Sequence, residues 1–523
     1  MARASLPLHS SHTLRQMIRR AAIVSALVLI ACVAVRRAET DRDRFVSVQA
    51  PQVALEHVDV IDGSGGAIRR DQTVILTGDQ ISAVGAAAAI TAPSSTRRLD
   101  LRGHTVIPGI VGMHNHLFYA ADGGQRYVSE AQGFARLYLA AGVTSIRTAG
   151  SIDPAHDAAI KRRIDAGLEP GPRIYWSGVY LDGTRSASEW TALIDQAAAA
   201  GVTSLKAYTG VRRPDLAAII DAGHRRGMVV TGHLCEVGFR EAAALGIDNL
   251  EHGLFVDSDL DPRKDPNRCP QQVDTILALA RLDPDAPAIR TLIRELVTHG
   301  VAITSTLAVY ESFTSGGAFV DPRVERFLAE PALDAYRVTV SDRARGEEFK
   351  SWEAALANEM AFERRFVEAG GLLVAGADPT AWGGTLAGLA DQRNVELLAK
   401  AGFTPEQVIQ IVTSNGASLL RSPAASGLVQ KGKTADLVVL EGDLAGDIRA
   451  IRNVRFVFVG GVGFSPEALS ASELGRIGAK ALTWRDRKWL IAAAAALVTV
   501  LAVALYDRHA AGQKRKRLAH TRQ

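Results

Sequence analysis

Two histidines stand two residues apart in His114-Asn115-His116. On an extended chain, positions i and i+2 face the same side, so this pair could offer two imidazole nitrogens to one metal ion. Taken alone, the pair could equally be two loop histidines. Four further side chains carry metal chemistry at comparable places: Lys206 in SLKAY, His233 in VVTGH, His252 in NLEH and Asp378 in LVAGAD. Each has an ordinary reading too: a solvated lysine, a core histidine, or a helix cap before Pro379. Their positions relative to the elements that carry them decide between the two.

From Gly109 onward, short strand-like runs alternate with helix-like segments. The runs are VIPGIVGMHNH, VTSIRTAG, RIYWSGV, VTSLKAY, MVVTGHL, DNLEHG, VAITSTLAV and GLLVAGADP. Helical patterns follow them near 130–141, 154–166, 186–200, 214–226, 238–245, before 299, at 353–369 and at 387–401. Eight β-then-α units are the count of a closed parallel (β/α)8 barrel, the TIM barrel, whose active sites lie where the C-terminal ends of the strands converge. His114, His116, Lys206, His233, His252 and Asp378 all fall at such ends, and six metal-compatible side chains are then expected at one mouth. Two β-rich pieces bracket the barrel. VALEHVDVIDGSG, QTVILTGDQISAVG and TRRLDLRGHTVIPG precede it, and TADLVVLEGD and VRFVFVGGV follow it, so the flanks are expected to fold together as one small β-sandwich.

With the opening VIPGIVGMHNH, the TGH and EHG steps, the GAD and the closing ADLVVLEGD, the stretch from about residue 53 to 463 resembles the amidohydrolase superfamily. The resemblance is to its imidazolonepropionase-like and prolidase-like branch, which carries a lysine on strand four. It implies one or two divalent ions, usually zinc. His114 and His116 would hold the more buried ion and His233 and His252 the second. A carbamylated Lys206 would bridge both, and Asp378 would bind the first ion and act as general base and acid. The roles are chemically coherent, because a carbamate presents two anionic oxygens where a neutral amine presents none. Metal ions bring a bound water toward a pKa of about 7, ready to attack a carbonyl. Two departures weigh against a dipeptidase. The third loop reads GVYLDGTRSASEW in place of a longer Gly-Gly-His loop, and strand two ends Arg147-Thr148 where relatives often show Arg-Asp. Tyr208 and Thr209 after the lysine, Arg185 on the third loop and Tyr310 on the seventh are candidates for substrate contact, each with plain packing as its alternative. Cys235 beside His233 is a possible softer ligand. His104, His156, His224 and His299 lie away from strand ends and read as structural or solvated.

The chain has 523 residues, of which 47% are hydrophobic and 22% charged, so it is neither a disordered polyelectrolyte nor a polytopic membrane protein. Its net charge of +4 is an average over unlike parts. Residues 46–475 hold 41 Lys/Arg against 51 Asp/Glu, a net of −10, which speaks against nucleic acid as a partner. The basic excess flanks two apolar runs. Ala21–Val35 suits a signal-peptide core, and Leu29-Ile30-Ala31-Cys32 within it is either a lipoprotein cleavage box or a chance cysteine. Trp489–Tyr506 is 18 uncharged positions with an aromatic at each edge, long enough for a transmembrane helix. The expected organisation is a signal or anchor segment at 1–45, a composite β-domain at 46–108 and 424–465, and the barrel at 109–423. A linker at 466–488, a membrane span at 489–506 and a basic cytoplasmic tail at 507–523 complete it. Only Cys235 and Cys269 could pair outside the apolar run.

The expected function is a membrane-anchored, extracytoplasmic hydrolase of a small-molecule amide, cyclic amide or small peptide. An esterase, lactonase or organophosphate-type hydrolase is the alternative enzyme, and a membrane-tethered binding protein the alternative of another class. Nothing in the sequence fixes the oligomeric state.

Overall fold

The computed structural model describes residues 40–261, 264–265, 268–314, 321–343, 350–421 and 427–479. The apolar runs 21–35 and 489–506 lie outside the described residues, and among those described no helix is long and apolar enough to cross a membrane.

Eight strand positions form the barrel: Ile110–Asn115, Val143–Thr148, Arg173–Tyr175, Ser204–Ala207, Val229–Gly232, Asn249–Glu251, Ala302–Ser305 and Leu373–Ala375. All paired neighbours run parallel. The strands are rich in β-branched residues and almost wholly buried, as expected of strands covered on one side by helices and filling the barrel on the other. The third strand is broken. Its first part, Arg173–Tyr175, pairs with strand two, the chain then turns through Gly178 in a left-handed conformation (φ 67°), and Tyr180–Leu181 pairs with strand four. Strand eight returns to strand one, where the Asp378 amide donates to the His114 carbonyl at 2.8 Å. Here Gly376 is required by close approach, since a Cβ would sit 2.2 Å from the His114 nitrogen. Helices follow the strands close to their expected places, including Ala131–Ala140, Pro154–Asp165, Ala187–Ala199 and Leu389–Lys400. Ser186 and Glu189 form a reciprocal capping box at the start of the third-unit helix Ala187–Ala199, which fixes the loop after strand three.

The flanking β-pieces join through Leu437–Glu441, which pairs antiparallel with His104–Pro108 and carries Val439 opposite Val106. The result is one nine-stranded sheet rather than two stacked ones. Its far edge curls back, with the Ile81 amide donating to the Lys433 carbonyl at 2.8 Å, so the sheet encloses its own core. Val53, Leu55, Leu76 and Val106 from the first flank and Leu437, Val439 and Phe458 from the second fill that core. An Arg173–Asp436 ion pair (2.9 Å) ties the sheet to the barrel.

Candidate metal centre

All six strand-end residues line one cavity of about 290 Å³ at the barrel mouth. The backbone that aims them is unusual at two points. His252 and Asp378 adopt left-handed conformations, with φ of 67° and 43°, which cost a non-glycine residue of order 1–3 kcal/mol unless the surroundings enforce them. They do so here. The His252 amide donates to the Thr304 carbonyl (3.0 Å), and two residues on the Leu254 amide donates to Glu359 Oε2 (2.8 Å). Asp378 is fixed by its own amide on His114 and by the Thr380 hydroxyl, which donates to Oδ1 at 2.8 Å. No helix begins at Asp378; it lies in irregular backbone after strand eight.

The imidazoles are oriented from behind. His114 Nδ1 donates to Glu251 Oε2 (2.7 Å) and His116 Nδ1 to the Gly150 carbonyl (3.3 Å), which turns both Nε2 atoms toward Asp378 Oδ1, at 3.7 and 3.3 Å. Donor atoms of His114, His116 and Asp378 all lie within 4.8 Å of one another. His252 engages Thr306 Oγ1 through Nδ1 (2.8 Å) and leaves Nε2 buried with no hydrogen-bond partner. Its ring lies 4.4 Å from that of His114 and 4.7 Å from that of His233. Burial, reinforced by the Lys206 charge, lowers His114 to about 4 and His233 to about 3; burial and the His114 charge push His252 well below the usual imidazole range. Burial would raise the Asp378 carboxyl, but the His114, His116 and His252 rings that face it take it well below the carboxylate range. At neutral pH the cluster therefore holds three neutral imidazoles with lone pairs and one carboxylate, the protonation states that a cation requires.

Lys206 is not a solvated lysine. It is 1% exposed, its Nζ lies 3.2 Å from Glu251 Oε1, and the geometry is not aligned for a hydrogen bond, so the amine is an orphaned buried donor. Burial lowers it to about 8, Glu251 resisting and Arg147 assisting, so a fraction of the amine is neutral near pH 7. A neutral amine is the form that takes up carbon dioxide. The His114, His116 and Asp378 donors and the bare His252 Nε2 on one small cavity fit a divalent ion.

Two members of the site were not singled out from sequence as functional. Arg147 is fully buried and crosses the barrel interior. It donates from Nε to the Met113 carbonyl (2.7 Å), from Nη1 to Thr231 Oγ1 (3.0 Å) and from Nη2 to Glu251 Oε1 (2.6 Å), tying strands one, two, five and six together. Glu251, the residue before His252, collects Arg147, Lys206 and His114 on one carboxylate. The signal was a charged residue inside each of the apolar runs SIRTAG and NLEH.

Among the four candidate substrate residues, Tyr208 lines the cavity, its ring 5.3 Å from His233, and Thr209 does not. Arg185 does not line it. Its guanidinium stacks on Trp190 at 4.6 Å and donates to the Asp182 carbonyl (2.7 Å), because the loop is held by the helix cap at Ser186 and by Asp215, which accepts from the Arg185 amide. Tyr310 does not line the cavity either. It is buried against Phe255, with ring centres 3.6 Å apart. Cys235 cannot act as a thiolate ligand, since it is bonded to Cys269. His156 meets the Ser129 hydroxyl (2.8 Å) and His224 meets Asp248 (2.8 Å), both away from the cavity.

The model of the Amidohydrolase family matches residues 105–463, more than half of the chain. Imidazolonepropionase of Streptomyces avermitilis is 33% identical over 114 residues, 21% of this chain and 27% of that protein. Imidazolonepropionase of Halobacterium salinarum is 31% identical over 104 residues, 19% of this chain and 25% of that protein. The chain thus spans about a quarter of the length of the curated relatives it matches. Among solved structures, phenylurea hydrolase B is similar with a TM-score of 0.61 at 18% identity, over 82% of this chain and 100% of that one. A Xaa-Pro dipeptidase with bound methionine is similar with a TM-score of 0.60 at 20% identity, over 79% of this chain and 100% of that one. At such identities these two likenesses speak to the fold, an α/β barrel of the TIM type.

Proposed function

We propose, from the premise that this chain belongs to the amidohydrolase family, that it is a metal-dependent hydrolase of a carbon–nitrogen bond in a small amide, cyclic amide or peptide. The observation that carries the reading is the meeting of neutral imidazoles, an ionised Asp378 and an orphaned buried Lys206 on one cavity. His114, His116 and Asp378 would hold one divalent ion and His233 and His252 a second, with zinc the expected metal and a carbamylated Lys206 the bridge. When bound, such ions acidify water and polarise the scissile carbonyl. The protein's own contribution is to orient and to move a proton. Glu251 and Gly150 keep the His114 and His116 protons on Nδ1. Asp378, ionised and held by Thr380, accepts a proton from the attacking water and returns it to the departing nitrogen.

The test uses the full chain loaded with zinc. Asp378→Asn should keep the fold and most of the metal, yet lower turnover of an unactivated amide by at least about a hundredfold, the low end for general acid–base catalysis. Activated esters, whose leaving groups need little protonation, should lose less. Near-normal amide turnover by this variant would overturn the assignment.

The same reading places residues 46–108 and 424–465 in one β-domain that supports the barrel at 109–423. It also places the catalytic part outside the cytoplasm, anchored by 1–45 and 489–506. The Cys235–Cys269 disulfide supports that compartment, since such bonds persist where the environment is oxidising. A reporter active only outside the cytoplasm should be on when fused near residue 475 and off after Gln523; the reverse pattern rejects the topology.

A further inference from the structure

The floor of the cavity is built for cations, but its rim is not built for a charged substrate. A hairpin of Phe118–Ala121 and Arg126–Ser129 stands over the mouth and brings Phe118 and Tyr127 edge to face, with ring centres 5.1 Å apart. Across from it, Tyr180 packs on Tyr208 with ring centres 4.9 Å apart. Ile152, on the loop after strand two, completes the rim. Tyr127 and Ile152 are 49% and 42% exposed, so large apolar surface faces the opening of the cavity. Rings in this arrangement offer flat apolar area with a hydroxyl at one end, which suits an aromatic or aliphatic group that carries no charge.

The electrostatics point the same way. Among the described residues no arginine lines the cavity, and its one lysine, Lys206, is buried at the floor. The arginine of the third loop, Arg185, is committed to Trp190 and to the Asp182 carbonyl. The carboxylate that bears most on the rim rings Tyr180 and Tyr208 is Asp378 at the floor, and Asp182 adds a second one beside Tyr208. A substrate carboxylate at this rim would lose water and meet no guanidinium, and an uncompensated charge is costly to desolvate.

We infer that the mouth selects neutral amides bearing an aromatic or bulky apolar group, and discriminates against substrates with a free carboxylate beside the scissile bond. This rests on the hydrolase reading above for its relevance to turnover, but the selectivity itself is a property of binding. Tyr127 and Ile152 are its specificity-determining residues.

Binding is measured by calorimetry with two probes that share one benzoyl amide, N-benzoylglycinamide and N-benzoylglycinate. The full chain carries Asp378→Asn so that either probe is consumed only slowly during the titration. The neutral probe should bind at least about tenfold more tightly, a gap that one unpaired charge supplies. Tyr127→Ala should weaken the neutral probe by about fivefold, within the range for one aromatic contact. Ile152→Arg, which adds the missing guanidinium, should tighten the acid by at least about fivefold and narrow the gap. Equal or tighter binding of the acid overturns the inference, as does failure to detect either probe at millimolar concentration. If the expected preference is found but the unsubstituted chain hydrolyses neither probe nor any other amide, the selectivity stands and the hydrolase reading fails.

Discussion

Glu251 and the pair Glu359 and Glu363 are all fully buried in the same barrel, yet they hold opposite charge states. Glu251 sits inside the barrel at the end of strand six. Burial would raise its carboxyl, but Arg147, Lys206 and His114 outweigh burial and keep it well below the usual range, hence ionised. Glu359 and Glu363 lie one turn apart on the helix Lys350–Glu368, which packs behind strand seven and the turn after His252. Glu359 accepts from the Leu254 amide, and Glu363 accepts from the Ser305 hydroxyl at 3.0 Å, but among the described residues neither has a cation partner and each leaves Oε1 without a hydrogen bond. Burial, with each other's charge added for Glu359, drives both upward, Glu363 to about 8. Burial alone therefore does not decide the state of a carboxyl; the presence of a guanidinium or ammonium within reach does. In the first case the acid orients His114, a proposed metal ligand. In the second it fills space behind the loop that carries one, so tightly that a Cβ on Gly253 would lie 1.8 Å from Glu359 Oε1.

The comparison is broken most severely at Lys206, where the charged region meets the cavity. Lys206→Ala removes the proposed bridge, so metal content should fall from about two ions per chain and turnover should drop by about a thousandfold. Short carboxylic acids able to occupy the vacated space should restore part of both. Unchanged metal content and rate would move the metal centre away from strand four. A smaller loss is expected at Glu251. Glu251→Gln keeps the shape but gives up the charge that holds the His114 proton on Nδ1 and faces Arg147, and loss of such a supporting partner typically weakens metal binding about 10- to 100-fold. Zinc titration against a chelator reads this directly. Since Glu251 is lowered, its contribution to stability is present above the ordinary glutamate range and is lost as the pH falls toward its folded value. The variant should thus lose part of the wild-type decline in Tm on acidification.

The contrast also explains which parts of the site could be read from sequence. His114, His116, Lys206, His233, His252 and Asp378 were legible because a parallel barrel brings strand C-termini together, so spacing along the chain translates into a shared location. Glu251 and Arg147 were harder. Their side chains point into the barrel from strands more than 100 residues apart, and their pairing depends on which residues face inward in each strand. Glu359 and Glu363 gave no signal: two glutamates at i and i+4 read as a solvated helix face until the packing of that helix is known. Arg185 misled for a related reason. Its position on a mouth loop was inferred correctly, but a side chain with Trp190 within stacking distance and a capped helix behind it turns away from the cavity. In the flanks, strand content was legible, whereas the closure of both pieces into one curled sheet depends on the edge contact at Ile81 and Lys433.

The smallest effect on activity is expected where the acid carries no charge at neutral pH. In Glu363→Gln an amide replaces a protonated carboxyl of nearly the same shape, and the Ser305 hydroxyl can still donate to its oxygen. Turnover at pH 7 should remain within about twofold, because no charge near the metal ligands has changed. Stability is the sharper readout. The folded pKa of Glu363 lies at about 8, above its ordinary value of 4.5. Its contribution is therefore complete below the ordinary value and is lost as pH rises toward 8, because over that window the unfolded chain releases a proton that the folded chain retains. The wild-type chain should accordingly melt at progressively lower temperature from about pH 5 to pH 8, and Glu363→Gln should flatten that slope while leaving Tm near pH 5 within about 2 °C. Glu251→Gln acts on the acid side of the profile and should leave this window unchanged. Parallel melting profiles for wild type and Glu363→Gln across pH 5 to 8 would mean that Glu363 is ionised in the folded state. The two regions would then no longer differ in charge, and a cation near the helix Lys350–Glu368 would have to be sought.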